Sequence, residues 1–353
     1  MRLTFSLLAF TLAAAPTPAR AQAPDSLTST AFAALSARLS EPSGFFDTDN
    51  LVSNEDSYLH AITGFQKYGV EPYRAYLGVG PDQNFSYIAS LQPRIAFILD
   101  IRRDNLLEHL MFKALFAHAA DRIAFLCLLF GKALPADTTG WSSRDLAALL
   151  DYVTRASPDL PVARAVLSAG LKQLGFPLSP KDLETIARFH AIFTTEGPGL
   201  RLTTFGRPDR LDYPDYRRLL LERDLNGKPA NYLATESDFR FVKSLEGRNL
   251  VVPVVGDFAG PHALAAIGDY LAAHGLKVSA FYTSNVEQYL FRGTSFEAFR
   301  KNVGHLPHDA TSVMVRSYFP YQRGHAQQIP GYISVQLLQT IDTFLATPYT
   351  YYD

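Results

Sequence analysis

Two glycines and a carboxylate propose the first chemistry. Gly78-Val79-Gly80-Pro81 follows an apolar run that begins at Ala75, and Asp100 lies twenty positions after Gly80 at the end of a second apolar run. After a buried strand, glycines let the backbone turn tightly and approach a ligand. The N-terminus of a following helix offers free N–H groups to a carboxylate or phosphate. A carboxylate at the end of the next strand can accept both hydroxyl hydrogens of a ribose. Strand, GxG turn, helix, strand and acid together predict a nucleotide- or nucleoside-binding unit. The dinucleotide fingerprint wants a third glycine at position 83, where this chain has Gln83, which leaves room for a nucleoside without a pyrophosphate.

Further polar residues stand at the ends of later predicted strands. Asp257 closes VVPVVGD, and Ser284, Asn285 and Glu287 follow the next strand. Ligands of open α/β sheets bind beyond the carboxyl ends of the strands, so Gly78, Gly80, Pro81, Asp100, Asp257, Asn285 and Glu287 are expected on one rim. Glu55, Asp257 and Glu287 are the candidate general bases, and Asn54 and Asn285 the candidate substrate contacts. Asp257 before Phe-Ala-Gly-Pro also suits a simple Asx turn, and Glu55 suits a helix N-terminus. His305-x-x-His308-Asp309 has metal-ligand residue types, but Pro307 keeps the two imidazoles off a shared helical face, and no metal is expected. HExxH, P-loop and GxSxG patterns are absent from the sequence.

Six stretches carry a resemblance: DNLVSNE (49–55), YLGVGPDQNFSYIA (76–89), DIRRDNLLEHL (100–110), YLATE (232–236), VVPVVGDFAGP (251–261) and SNVEQYL (284–290). The turn and the DIRRDN strand end resemble the first two motifs of class I S-adenosylmethionine methyltransferases. The full set resembles an uncharacterised bacterial protein family with a methyltransferase-like core. The resemblance implies S-adenosylmethionine as cofactor, with Gly78 and Gly80 facing its amino-acid end and Asp100 its ribose. It also implies methyl transfer to an unknown small molecule. The chain departs from the class I pattern at Tyr76-Leu77, where an acid normally precedes the GxG, and in a long helical stretch after the second βα unit. Two other readings stay open: an exported, non-enzymatic ligand-binding module with a degenerate Rossmann-like pocket, and a hydrolase or isomerase using the rim carboxylates.

The elements that must position these residues follow from periodicity and caps. Ala75–Gly80, Arg94–Ile101, Leu250–Gly256, Leu276–Thr283 and Thr311–Tyr318 predict strands. Pro253 predicts an edge or a bulge in its strand. Helices are expected near Ser29–Leu39, from a Ser53 cap onward, over Asn84–Leu91, from Asp104 to about Phe116, and over Ala120–Phe130. Ser142-x-x-Asp145, Pro158–Gly175 and Ser179-Pro180-x-Asp182 mark three more. Thr235-x-x-Asp238, Pro261–Gly275 and Thr294-x-x-Glu297 mark others, and Ile333–Ala346 is expected as a closing helix. Residues 205–232 read as loop. The fold class is therefore α/β, a Rossmann-like sheet with helices on both faces and a helical insertion, which the resemblance above implies is class I methyltransferase-like. The expected division is a signal peptide (1–21), a lead-in (22–44), the first half of the core (45–130), the insertion (131–200) and the second half (201–353).

Composition bounds the rest. The 353 residues are 47% hydrophobic and 19% charged, enough for a sizeable core. Met1-Arg2, the apolar run Thr4–Ala15 and Ala19-Arg20-Ala21 resemble a secretory signal cleaved before Gln22, which predicts a periplasmic or secreted protein. Cleavage removes Arg2 and Arg20 and no acid, moving the net charge from −1 to −3. No basic tract suggests nucleic acid, and no later run is long enough to span a bilayer. Cys127, the single cysteine, sits in an apolar run as a buried, inert thiol would. The expected partner is a small molecule.

Overall fold

The computed structural model describes residues 23–206, 210, 212–291, 293–320 and 324–347. The expected signal peptide lies outside the described residues. Helix α1 (Ser29–Leu39) begins at Thr28, whose hydroxyl accepts from the Ala31 N–H. Helix α2 (His60–Lys67) precedes strand β1 (Ala75–Gly78), helix α3 (Gln83–Leu91) and strand β2 (Ile95–Asp100). Helices α4 (Arg103–His118) and α5 (Arg122–Phe130) follow, the second capped by Asp121. Next come α6 (Leu146–Arg155), α7 (Leu160–Leu174), α8 (Pro180–Glu196), α9 (Tyr216–Leu221) and α10 (Glu236–Gly247). Strand β3 (Val251–Val255), α11 (Ala263–Ala273), β4 (Val278–Ser284), α12 (Glu287–Leu290) and α13 (Ser295–His305) complete the second βαβ stretch. The described chain closes with β5 (Val313–Tyr318), β6 (Val335–Thr340) and α14 (Ile341–Ala346).

The sheet order is β3-β2-β1-β4-β5-β6. The first five strands run parallel, and β6 is antiparallel to β5. Parallel strands buried on both faces need apolar residues at every position, and β1 to β3 are buried throughout. Helices α1 and α11 pack against β3 and β2, and α11, α13 and α14 continue that layer. On the other face α4 covers β2 and β3, α3 packs on β1 and α10, and α2 lies against β6. This is a Rossmann-like α/β sheet with helices on both faces. Helices α6, α7 and α8 form a further layer outside α4 and α5, the helical stretch expected from the sequence. The capping box of Ser179 and Asp182 on α8 is the one read from the residues, whereas α6 starts three residues later than the Ser142 pattern predicted, with Asp145 itself as the N-cap.

Four local expectations are corrected or sharpened. Residues 333–346 do not form one helix. Val335–Thr340 is a strand, because the free edge of β5 supplies ladder partners from Val313↔Thr340 to Tyr318↔Val335. Only then does Thr340 cap the short α14. No helix starts at Ser53: its hydroxyl accepts from the Glu55 N–H at 3.0 Å, a local turn that competes with helix, and α2 begins at His60. The 205–232 stretch carries α9, capped by Asp215. Pro253 lies on an edge strand without a bulge, in register with Ile98, and its carbonyl accepts from the Ser36 hydroxyl at 2.6 Å.

Candidate functional site

The strand order reverses direction between β1 and β4, and such a switch point is where open α/β sheets bind ligands. Its carboxyl-end rim is closed by the chain's own residues 48–58. Glu55 reaches over β1 and places a 1% exposed carboxylate at the ends of β4, β5 and β6. It accepts from Tyr282 Oη (2.6 Å), Ser317 Oγ (2.5 Å), Gln336 Nε2 (3.2 Å) and Ser284 Oγ. Burial raises its pKa against the pull of these four donors. Asp56, next in sequence, ties the same segment to the 331–334 loop: it accepts from the Ile333 N–H and from the Ser334 N–H and hydroxyl, and pairs with Arg218 at 2.7 Å.

The glycine turn is filled from within. Gly80 has φ +82°, the left-handed region where glycine is favoured. Asn84, in the first turn of α3, donates from Nδ2 to the carbonyls of Val79, Gly80 and Pro81 and accepts from Tyr76 Oη. A Cβ on Gly78 would fall 1.9 Å from Asn84 Oδ1 and 2.7 Å from Tyr76 Oη. Gly78 therefore makes room for a side-chain pair of the protein itself. Gln83, which stands where a third glycine was wanted, reaches Tyr282 Oη at 3.3 Å.

Asp100 stands at the expected strand end but is held by its neighbour. Both of its carboxylate oxygens accept from the Arg102 guanidinium (3.2 and 3.1 Å), and one also from the Arg102 N–H at 2.9 Å. Arg102 reaches on to the carbonyls of Thr48 and Asp49. Glu287 is likewise engaged, in a buried bidentate pair with Arg316 at 2.7 Å on both arms. Arg316 and Ser317 are consecutive on β5, so their side chains leave opposite faces; Glu287 and Glu55 do not share a site. Asp257 closes an Asx turn onto the Ala259 N–H at 2.9 Å. Asn54 and Asn285 are half-buried, and Ser284 Oγ lies 3.4 Å from Asn285 Oδ1. Pro81 follows the turn, with its carbonyl taken by Asn84.

The first two turns of α4 carry a polar group that was not singled out from the sequence. Asn105, Glu108 and His109 are each at most 2% exposed. His109 Nε2 meets the Gly80 carbonyl at 3.0 Å, and its Nδ1 has no protein partner. Glu108 Oε1, both amide atoms of Asn105, Gln83 Oε1 and Thr48 Oγ1 are also buried without one. Most buried polar atoms are paired, so these six stand out as a set that the described protein atoms leave without a partner. Burial drives the Glu108 pKa well above the carboxylate range, Asp82 adding to the effect and Arg102 opposing it. Burial also pulls His109 down to about 4. Asp82, bound by the hydroxyls of Tyr216 (2.5 Å) and Tyr232 (3.2 Å), is raised by burial to about 6. The readable signal was the polar spacing i, i+3, i+4 (Asn105, Glu108, His109) near the start of a helix whose middle turns are largely apolar.

In this arrangement the positions expected to face S-adenosylmethionine are occupied by the protein's own side chains. The space beside Gly78 holds Asn84 and Tyr76, the Asp100 oxygens hold Arg102, and the cavity beside Asp82 and Gln83 measures about 10 Å³. Residues of the His305–Asp309 stretch are dispersed onto separate partners: His305 on Asp269, His308 on Asp342, and Asp309 on Arg74 and Lys277. Among the described residues no group of three or more His, Cys, Asp or Glu side chains is placed to hold a metal ion. Cys127 is buried, its thiol pushed up to about 12.

Fold and rim together define an α/β protein of the Rossmann-like class whose strand ends are covered by its own N-terminal segment. The chain belongs to the family described as Domain of unknown function (DUF7790), whose model matches residues 51–173 and 204–350. No curated protein matches it.

Proposed function

We propose that this protein is an exported, non-enzymatic binding module: a methyltransferase-like frame whose cofactor surface is taken by its own side chains. The observation that carries this reading is Glu55, a buried carboxylate with four donors at the switch point. An anionic ligand group arriving at the β4 and β5 ends would have to displace it. Asp100 and Glu287 are already paired and Asp257 closes a turn, so these rim carboxylates are engaged within the protein, which speaks against the hydrolase or isomerase reading.

Methyl transfer from S-adenosylmethionine to a small molecule is the second reading. It is favoured by the unpartnered buried polar groups, His109 on the Gly80 carbonyl among them, and by the antiparallel last strand, which separates this sheet from the parallel dinucleotide-binding order. It requires residues 48–58 to lift away. Calorimetric titration of the full chain with S-adenosylmethionine and S-adenosylhomocysteine separates the two. The binding-module reading expects no heat up to millimolar ligand. Micromolar binding that disappears in Asp100→Ala would overturn it in favour of the methyltransferase.

A further inference from the structure

Helices α7 and α8 leave between them a groove of about 600 Å³, well within the 300–1,000 Å³ or so typical of small-molecule sites. Its floor is apolar: Leu167, Leu171 and Ile186 are buried, and Phe176 and Leu178 close one end. Leu183 stands 44% exposed on the α8 wall. The opposite edge is cationic. Arg164, Ser168 and Lys172 follow at i, i+4 and i+8 on α7, one stripe along the groove. No carboxylate lines it. Asp182, at the start of α8, is turned away onto Arg103. Among the described residues neither Arg164 nor Lys172 is ion-paired. His190, at the inner end, is kept neutral by burial and holds the Leu128 carbonyl at 2.9 Å. The α8 wall lies in the stretch between residues 173 and 204 that the family model does not match, so the groove is not part of what that match covers.

An apolar channel with two free cations on one lip and no acid is complementary to a ligand with one apolar chain and one negative head. A neutral apolar ligand would leave the cations without a counter-charge, and a polar anion would leave the floor wet. We propose that the α7–α8 groove binds a fatty-acid carboxylate, its chain along Leu167, Leu171, Phe176 and Ile186 and its head on Arg164 and Lys172.

The test is calorimetry of the full chain with dodecanoate below its micelle concentration, and with dodecanol. Saturable one-to-one binding of dodecanoate is expected, with dodecanol at least tenfold weaker. Ala187→Trp, at an exposed position on the α8 wall, should fill the groove and abolish binding while the thermal transition stays in place. The more conservative Leu183→Lys should weaken chain binding if the tryptophan disturbs the helix. The double variant Arg164→Ala, Lys172→Ala should bring dodecanoate down to the dodecanol affinity. The proposal falls if dodecanoate does not saturate, or if Ala187→Trp and Leu183→Lys both leave its binding intact. It also falls if sedimentation shows a dimer that Ala187→Trp dissolves, since a second copy of the chain would then be the occupant.

Discussion

Glu55 and Asp82 show how one segment converts a rim into an interior. The Glu55 carboxylate satisfies four side-chain donors that would otherwise be buried without an acceptor. Removing one partner of a buried polar group leaves the others with their full desolvation penalty, about 1–3 kcal/mol per group. Glu55→Ala should therefore lower unfolding stability by about 2–3 kcal/mol. Tens of millimolar acetate should restore part of it, by supplying the missing carboxylate to the vacated slot. Glu55→Gln, which refills the space, should show no acetate effect. Stability of Glu55→Ala that is indifferent to acetate would argue against an anion slot. Asp82 predicts a pH dependence. Its pKa rises from 3.8 to about 6 on folding, so its favourable contribution is complete below about 4 and is lost as pH rises through about 6. Relative to Asp82→Asn, the wild type should lose up to about 3 kcal/mol between pH 4 and pH 7 in denaturant titrations. His109, lowered to about 4, works in the other sense: its contribution is present above 6.5 and is lost as pH falls through 4.

The β1–α3 turn is the element where ligand-type sequence and structural use diverge. Gly80 needs a left-handed φ and Gly78 needs an absent Cβ, and each need can be tested apart. Gly80→Ala should cost about 1–2 kcal/mol, the strain of an L-residue at φ +82°. Gly78→Ala should cost as much or more, because its methyl displaces the Asn84 side chain that binds three carbonyls of the turn. Pairing Gly78→Ala with Asn84→Ala should be less harmful than the two single losses added together, as contacting residues are not additive. Urea midpoints of the four proteins give the coupling; strict additivity would mean that Gly78 serves something other than Asn84. This turn was legible as a strand–turn–helix from its glycines. Its filling was not, because nothing in the local spacing shows that Asn84 and Tyr76 turn inward onto it, and the partner of the Gly80 carbonyl, His109, comes from twenty-nine positions on.

At the scale of the molecule, a three-layer α/β core carries a fourth layer of helices, and the expectation of export remains to be measured. Among the described residues no helix is long and apolar enough to cross a membrane. Expression of the full chain with a periplasmic fraction and N-terminal sequencing should return a product that starts at Gln22. An unprocessed cytoplasmic product would remove export from the proposed function.

The sequence by itself determined the local grammar: parallel strands as apolar runs, caps at Ser179 and Thr235, and a glycine turn with Asp100 one strand further on. These depend on neighbours a few residues apart, so periodicity and cap chemistry suffice. The tertiary structure decided which polar groups stay free. Glu55 finds its donors 227 to 281 positions away, and Val335–Thr340 becomes a strand only because β5 has an open edge. Asp100 was placed correctly along the chain, yet its partner, Arg102, could equally have pointed to solvent. What turns Arg102 inward is long-range: the Thr48 and Asp49 carbonyls, more than fifty positions away, accept from it, and a buried charge needs such partners.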